Sequence, residues 1–289
     1  MTDQASELRR LMAAHPTGPA GPVHTIAITS GKGGVGKTNI ALNLGLAMAE
    51  AGARVALLDA DLGLSNAQIL MGLSPLRDLR DVVLGTCGME DILMDAPHGL
   101  KYIPGASGVA ELANMDAAER ARLLAGLAGL SQFVETALID TAPGISDAVI
   151  DLAAGADQTL IVTTPEPTSL TDAYASAKVI LQRRPGANVS LVINMVESRA
   201  HATEVARGFA SVTRRFLSVD VPLAGFVCED ARVPEAVRRQ QPLLVCHPKS
   251  LAAGCIRDLA RALLSNPRVQ VTSGGCSHAL GDMGPAPQR

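Results

Sequence analysis

The stretch that most constrains this chain is "SGKGGVGKT", Ser30 to Thr38, with four glycines in nine residues. It follows a short apolar run, "TIAIT" (25–29), and precedes a segment of helical character from about Lys37 to Ala51 that stops at Gly52. Glycines let successive backbone N–H groups turn inward as an anion-binding concavity, and a helix N-terminus adds its positive dipole end. Residues 31–38 match G-x-x-x-x-G-K-[ST] at every defined position. The strand before and the helix after separate such a phosphate loop from a chance glycine-rich turn. Gly31, Lys32, Gly33, Gly34, Val35, Gly36, Lys37, Thr38 and Asn39 are therefore expected to contact nucleotide. Lys37 is expected on the β- and γ-phosphates and Thr38 on Mg2+.

Such a loop needs a strand to hold it, and the rest of the chain supplies more of them. "RVALLD" (54–59), "VETALIDT" (134–141), "QTLIVTT" (158–164), "VSLVIN" (189–194) and "PLAGFV" (222–227) are apolar throughout rather than alternating. Helical stretches fit 116–130, 168–183, 201–216, 233–240 and 248–264. Strands apolar on both faces and separated by helices predict a doubly wound, mainly parallel sheet covered on both sides. This α/β domain is expected over 24–264. Residues 1–23 read as a short helical segment plus the Pro/Gly linker "HPTGPAGP", and 265–289 as a Gly/Pro-rich disordered tail.

Three acids follow the loop in the order a nucleotide site requires. Asp59 and Asp61, in "LLDADLGLSN", fall at a strand C-terminus, where open α/β sheets bind ligands. One would orient or activate a water, and the other would support the metal shell. Asp140, in "LIDTAPGI", ends an apolar strand and, with Thr38 and Asp61, is a candidate Mg2+ ligand. It precedes a glycine-containing turn able to sense a γ-phosphate. Asn194 ends "LVIN" and offers an amide to an adenine edge.

Composition removes several other classes. A net charge of −3 gives no global basic field for nucleic acid, leaving Arg183–Arg184, Arg214–Arg215 and Arg238–Arg239 as local candidates. The five cysteines include no C-x-x-C pair, which argues against a disulfide framework or a metal cluster and for reduced thiols in a cytoplasm. No run approaches the ~18 apolar residues of a membrane span.

"KGGVGKT", carrying Lys32 before the usual Lys37, resembles the deviant Walker A box of the MinD/ParA class of dimerising ATPases. The likeness extends through "DADLGLSN", "DTAPGI" and the "VIN" strand. It implies an ATPase used as a switch, with ATP and Mg2+ holding a homodimer in which Lys32 reaches the partner's nucleotide. Lys32, Lys37, Asp59 and Asp61 would then be the catalytic set. "GASGVAELANM" (105–115), "TTPEPTSLTDAYASAKV" (163–179) and "DQASELR" (3–9) resemble the flagellar-number regulators of the FlhG/FleN branch. In that branch the N-terminal element stimulates a signal-recognition-type GTPase of the FlhF kind, so Asp3, Gln4, Ala5, Leu8 and Arg9 would be partner-activating. A flagellar transcription activator or a switch-complex protein is the other implied partner, with polar or partner-mediated peripheral localisation. The alternatives are a MinD-type septum-site protein and a ParA-type cargo or DNA partitioner. Two departures stand out. Ala142–Pro143 occupy positions where the branch commonly has Gly-Ala, stiffening the switch. The tail lacks the amphipathic stripe of membrane-targeting relatives, which argues against membrane association.

Overall fold

A computed structural model describes residues 23–61, 66–105 and 129–265, together with 118, 122 and 125–127. The N-terminal element (Asp3 to Arg9), "GASGVAELANM" beyond Gly105 and the tail from 266 lie outside the described residues.

Among the described residues, eight strands form one sheet in the order β3-β4-β2-β5-β1-β6-β7-β8. The six long strands expected from the apolar runs are β1 (His24–Thr29), β2 (Val55–Ala60), β5 (Thr136–Thr141), β6 (Gln158–Thr163), β7 (Val189–Val196) and β8 (Leu223–Cys228). They pair in parallel, and β5 and β6 are buried at every position. Two short strands complete the sheet at one edge, β3 (Met94–Asp95) and β4 (Lys101–Ile103), the former antiparallel to the latter.

Helix α1 (Lys37–Glu50) follows the glycine loop and is buried along most of its length against the sheet, from Ile40 to Met48. Helices α5 (Pro167–Arg183), α6 (Arg199–Leu217), α7 (Arg232–Arg238) and α9 (Leu251–Ser265) lie where helical periodicity places them. On α9, Cys255, Leu259 and Leu263 are buried, whereas Leu251 at its start is exposed. The sequence patterns did not mark α2 (Asn66–Met71), α3 (Leu79–Leu84), α4 (Asp147–Gly155) or α8 (Leu243–Cys246).

The topology sets the site. Strand β1 lies between β5 and β6, so the chain leaves the sheet centre in both directions from it. That reversal of strand order is where open α/β sheets leave a crevice beyond their carboxyl ends. The register aligns those ends: Ile28 pairs with Asp140, and Asp59 pairs with Asp140 from the other side. The glycine loop, Asp59, Asp61 and Asp140 therefore meet at the carboxyl ends of the central strands.

Candidate nucleotide-binding site

Gly34 (φ 82°) and Gly36 (φ 85°) adopt the left-handed backbone that lets the loop after β1 curl before α1 begins. Gly33 and Gly34 face solvent, whereas Ser30, Val35 and Lys37 are buried. The loop is held from three sides. The Gly144 N–H, in the turn after β5, donates to the Ser30 carbonyl at 2.8 Å. The Asn194 amide, from β7, donates to the Val35 carbonyl at 2.8 Å. On the third side, α5 packs so closely that a Cβ at Gly31 would lie 2.3 Å from the Asp172 carbonyl carbon. Each pin comes from an element far away in sequence.

Lys37 reaches across the concavity to Asp140, Nζ to Oδ1 2.6 Å, with both side chains buried. Burial pushes the Asp140 carboxyl up, while the neighbouring Lys37 and then Thr38 pull it back. Its second oxygen, Oδ2, is buried with no partner at full hydrogen-bond geometry among the described residues, with the Thr38 hydroxyl near the carboxyl. An orphaned carboxylate oxygen of this kind is what a cation would satisfy. Among the described residues no group of three or more His, Cys, Asp and Glu converges on a point. A cation held by Asp140 and Thr38 would therefore share its coordination with phosphate oxygens, the usual manner of Mg2+.

Asp59 is fully buried beside Asp140. Burial first, and the Asp140 charge second, push its carboxyl up to about 7. It accepts hydrogen bonds from the Asp61 N–H and from the Tyr102 hydroxyl, each at 3.2 Å. Tyr102 projects from β4 and is itself buried, which raises its phenol well above the ordinary value. Asp61 is half-exposed at the end of β2. The two acids of "DAD" thus occupy different surroundings, one sealed and hydrogen-bonded, one open to the crevice.

Lys32 points the other way from Lys37. Its ammonium lies 2.9 Å from the Glu166 carboxylate and 3.2 Å from the Thr168 hydroxyl, at the start of α5. Sequence reasoning named neither Tyr102 nor Glu166 as a site residue. Tyr102 has no local signal at all. Glu166 lies inside "TTPEPTSLTDAY", a stretch quoted above only for its resemblance.

The CobQ/CobB/MinD/ParA nucleotide-binding domain family matches residues 26–243. The antiactivator FleN of Pseudomonas aeruginosa is 38% identical over 246 residues, covering 85% of this chain and 88% of the relative. The flagellum site-determining protein YlxH of Helicobacter pylori is 30% identical over 270 residues, covering 92% of this chain and 91% of the relative. Among solved structures, the MinC:MinD cell division complex of Aquifex aeolicus aligns with a TM-score of 0.68 at 27% identity, covering 84% of this chain and 96% of that one.

Proposed function

The chain belongs to the CobQ/CobB/MinD/ParA nucleotide-binding family, and from that premise we propose that it is an ATP-driven regulatory switch controlling flagellar number or placement. The observation that carries the nucleotide reading is the buried Lys37–Asp140 pair at 2.6 Å, set under a glycine loop, with the other Asp140 oxygen unpartnered among the described residues. A buried ion pair with one orphaned oxygen is costly unless a ligand completes it. ATP would draw the Lys37 ammonium from the carboxylate to its β- and γ-phosphates. Asp140, so released, would hold Mg2+ together with Thr38 and Asp61. Mg2+ bound there would neutralise charge on the phosphate oxygens.

Asp61, open to the crevice, suits the residue that orients the attacking water. Asp59, sealed behind it, suits support of the Asp61 backbone, to which it is already hydrogen-bonded. Lys32 would act on a second copy of the chain. Its present partner, Glu166, is a surface acid, and such pairs contribute only ~0–1 kcal/mol. A polyphosphate presented by another subunit offers more negative charge than one exposed carboxylate, which favours the exchange.

Likeness to an antiactivator and to a flagellum site-determining protein supports the flagellar assignment. The partners that follow are a GTPase of the FlhF kind, approached by Asp3, Gln4, Ala5, Leu8 and Arg9, and a flagellar transcription activator. A DNA-partitioning role draws less support. Arg183 is engaged by Asp147 and Asp151, Arg214 by Asp220 and Arg239 by Glu235, so each of the three arginine pairs has a member paired within the chain. A septum-site role is the second reading, favoured by the alignment with MinD. Deleting the gene and counting flagella per cell by electron microscopy tests the choice. The expected result is an altered count, restored by the wild-type chain and not by Lys37→Ala. Displaced septa with unchanged flagella would move the assignment to the septum-site reading.

A further inference from the structure

We infer that Asn194 is a positioning residue for the phosphate loop, fixing the Val35–Gly36 peptide so that the Gly36 N–H faces the bound phosphates; this rests on the nucleotide-binding reading above. Asn194 lies on β7 and is only 9% exposed. Its amide donates to the Val35 carbonyl at 2.8 Å, joining residues 159 apart in sequence. A peptide unit is planar and trans, so a carbonyl and the following N–H point in opposite directions. Holding the Val35 oxygen on β7 therefore turns the Gly36 N–H away from β7. That N–H stands at the start of α1, among the unpaired donors that gather an anion.

The loop cannot fix this peptide unaided. Gly34 and Gly36 flank Val35, both at positive φ, and glycine on either side makes a peptide easy to rotate. An external clamp supplies what the glycines lack. A close approach and two backbone irregularities accompany this contact. A Cβ at position 36 would lie 2.4 Å from the Asn194 amide nitrogen, so the contact itself requires glycine there. Met195, next to Asn194, takes a left-handed φ of 58°, and the β7–β8 ladder shifts register between Ile193 and Val196. Left-handed backbone at a non-glycine residue is strained and persists where surrounding contacts enforce it. Asn194 itself lies inside β7, which continues to Val196, so it does not close the strand.

The test uses the full chain and three ligands with Mg2+: ADP, GDP and inorganic pyrophosphate, which has no base. Dissociation constants are measured by calorimetric titration for the wild type and for Asn194→Ala. A clamp on the loop predicts binding ~5- to 10-fold weaker for all three, about what one net hydrogen bond supplies, with the ADP-to-GDP ratio unchanged. Asn194→Asp provides a second reading should the alanine variant fold poorly. Its ionised carboxylate faces the Val35 carbonyl without a proton to donate, whereas the protonated acid restores a donor. Its pyrophosphate affinity relative to wild type should therefore recover as pH falls, a response that mere loss of packing would not give. Unchanged pyrophosphate affinity in Asn194→Ala, with ADP losing its advantage over GDP, would assign the residue to the base and overturn the inference. Unchanged affinity for all three ligands would overturn it too. A wild-type chain that binds none of them would sink the nucleotide reading itself.

Discussion

Asp59 and Asp140 face each other across adjacent strands, and both are completely buried. Lys37 engages Asp140, which leaves Asp59 to settle its charge by holding its proton up to about pH 7, against 3.8 for an ordinary aspartate. Because the folded-state value is raised, the folded protein binds more protons than the unfolded chain between these limits. Stability from this group is therefore fully present at low pH and lost as pH rises through about 7. The difference corresponds to on the order of 4 kcal/mol across the whole window. Asp59→Asn cannot ionise, so its melting temperature relative to wild type should climb by several degrees between about pH 5 and pH 8. A difference that stays flat with pH would show that Asp59 does not titrate there. Asp61, half-exposed at the end of β2, is tested through turnover instead. Asp61→Ala should retain ATP binding, accumulate ATP-bound dimer and lose ~100-fold or more in turnover, measured by phosphate release. Undiminished turnover would remove Asp61 from the chemistry. The residue types of the site were legible because a phosphate loop is a local pattern. The contacts were not: Lys37 with Asp140, Asn194 with Val35 and Lys32 with Glu166 each join residues more than 100 apart.

At the scale of elements, legibility followed burial and length. The long parallel strands announce themselves because both faces are covered, leaving unbroken Val, Ile and Leu runs. Strands β3 and β4, of two and three residues, are too short for any period to register. Helix α4 hides behind "TAPGIS", whose turn signals mask the helical start at Asp147. Yet β4 matters to the site, because it carries Tyr102 to Asp59. Tyr102→Phe should cost about 1–2 kcal/mol in chemical denaturation, since it leaves a buried Asp59 oxygen short of a donor. The loop after β5 is the other element linked to the site. Gly144, at φ 100°, sends its N–H to the Ser30 carbonyl and so joins the candidate switch to the phosphate loop. A Cβ at Gly144 would meet nothing within 4 Å, so Gly144→Ala isolates backbone strain from steric clash. It should lower stability by about 1–2 kcal/mol, with a larger fractional loss of ATP turnover than of ADP binding. Equal losses in both would mean the turn supports the loop without answering to the γ-phosphate.

For the whole molecule, the proposed switch would divide the work of the loop's two lysines between one chain and two. Lys37 faces inward to Asp140, and Lys32 faces outward to Glu166, so a single nine-residue stretch serves opposite directions. If Lys32 completes the site of a second copy, nucleotide binding and association are thermodynamically linked, and each must strengthen the other by the same factor. A two-fold dimer would use the contact twice, so an effect at one lysine counts double in the association free energy and as its square in the association constant. Lys32→Ala and Lys37→Ala should therefore both abolish the ATP-dependent dimer seen by light scattering, but for different reasons. The Lys37 variant should fail to bind ATP as a monomer, whereas the Lys32 variant should bind it within a few-fold of wild type and remain monomeric. Glu166→Ala should act in the opposite sense. Freeing Lys32 from a surface ion pair contributes at most ~1 kcal/mol per subunit, so dimers should form at ATP or protein concentrations several-fold lower. A Lys32→Ala chain that still dimerised and hydrolysed ATP would leave Lys32 as a surface residue paired within its own subunit. The switch would then have to be sought in the loop after β5 alone.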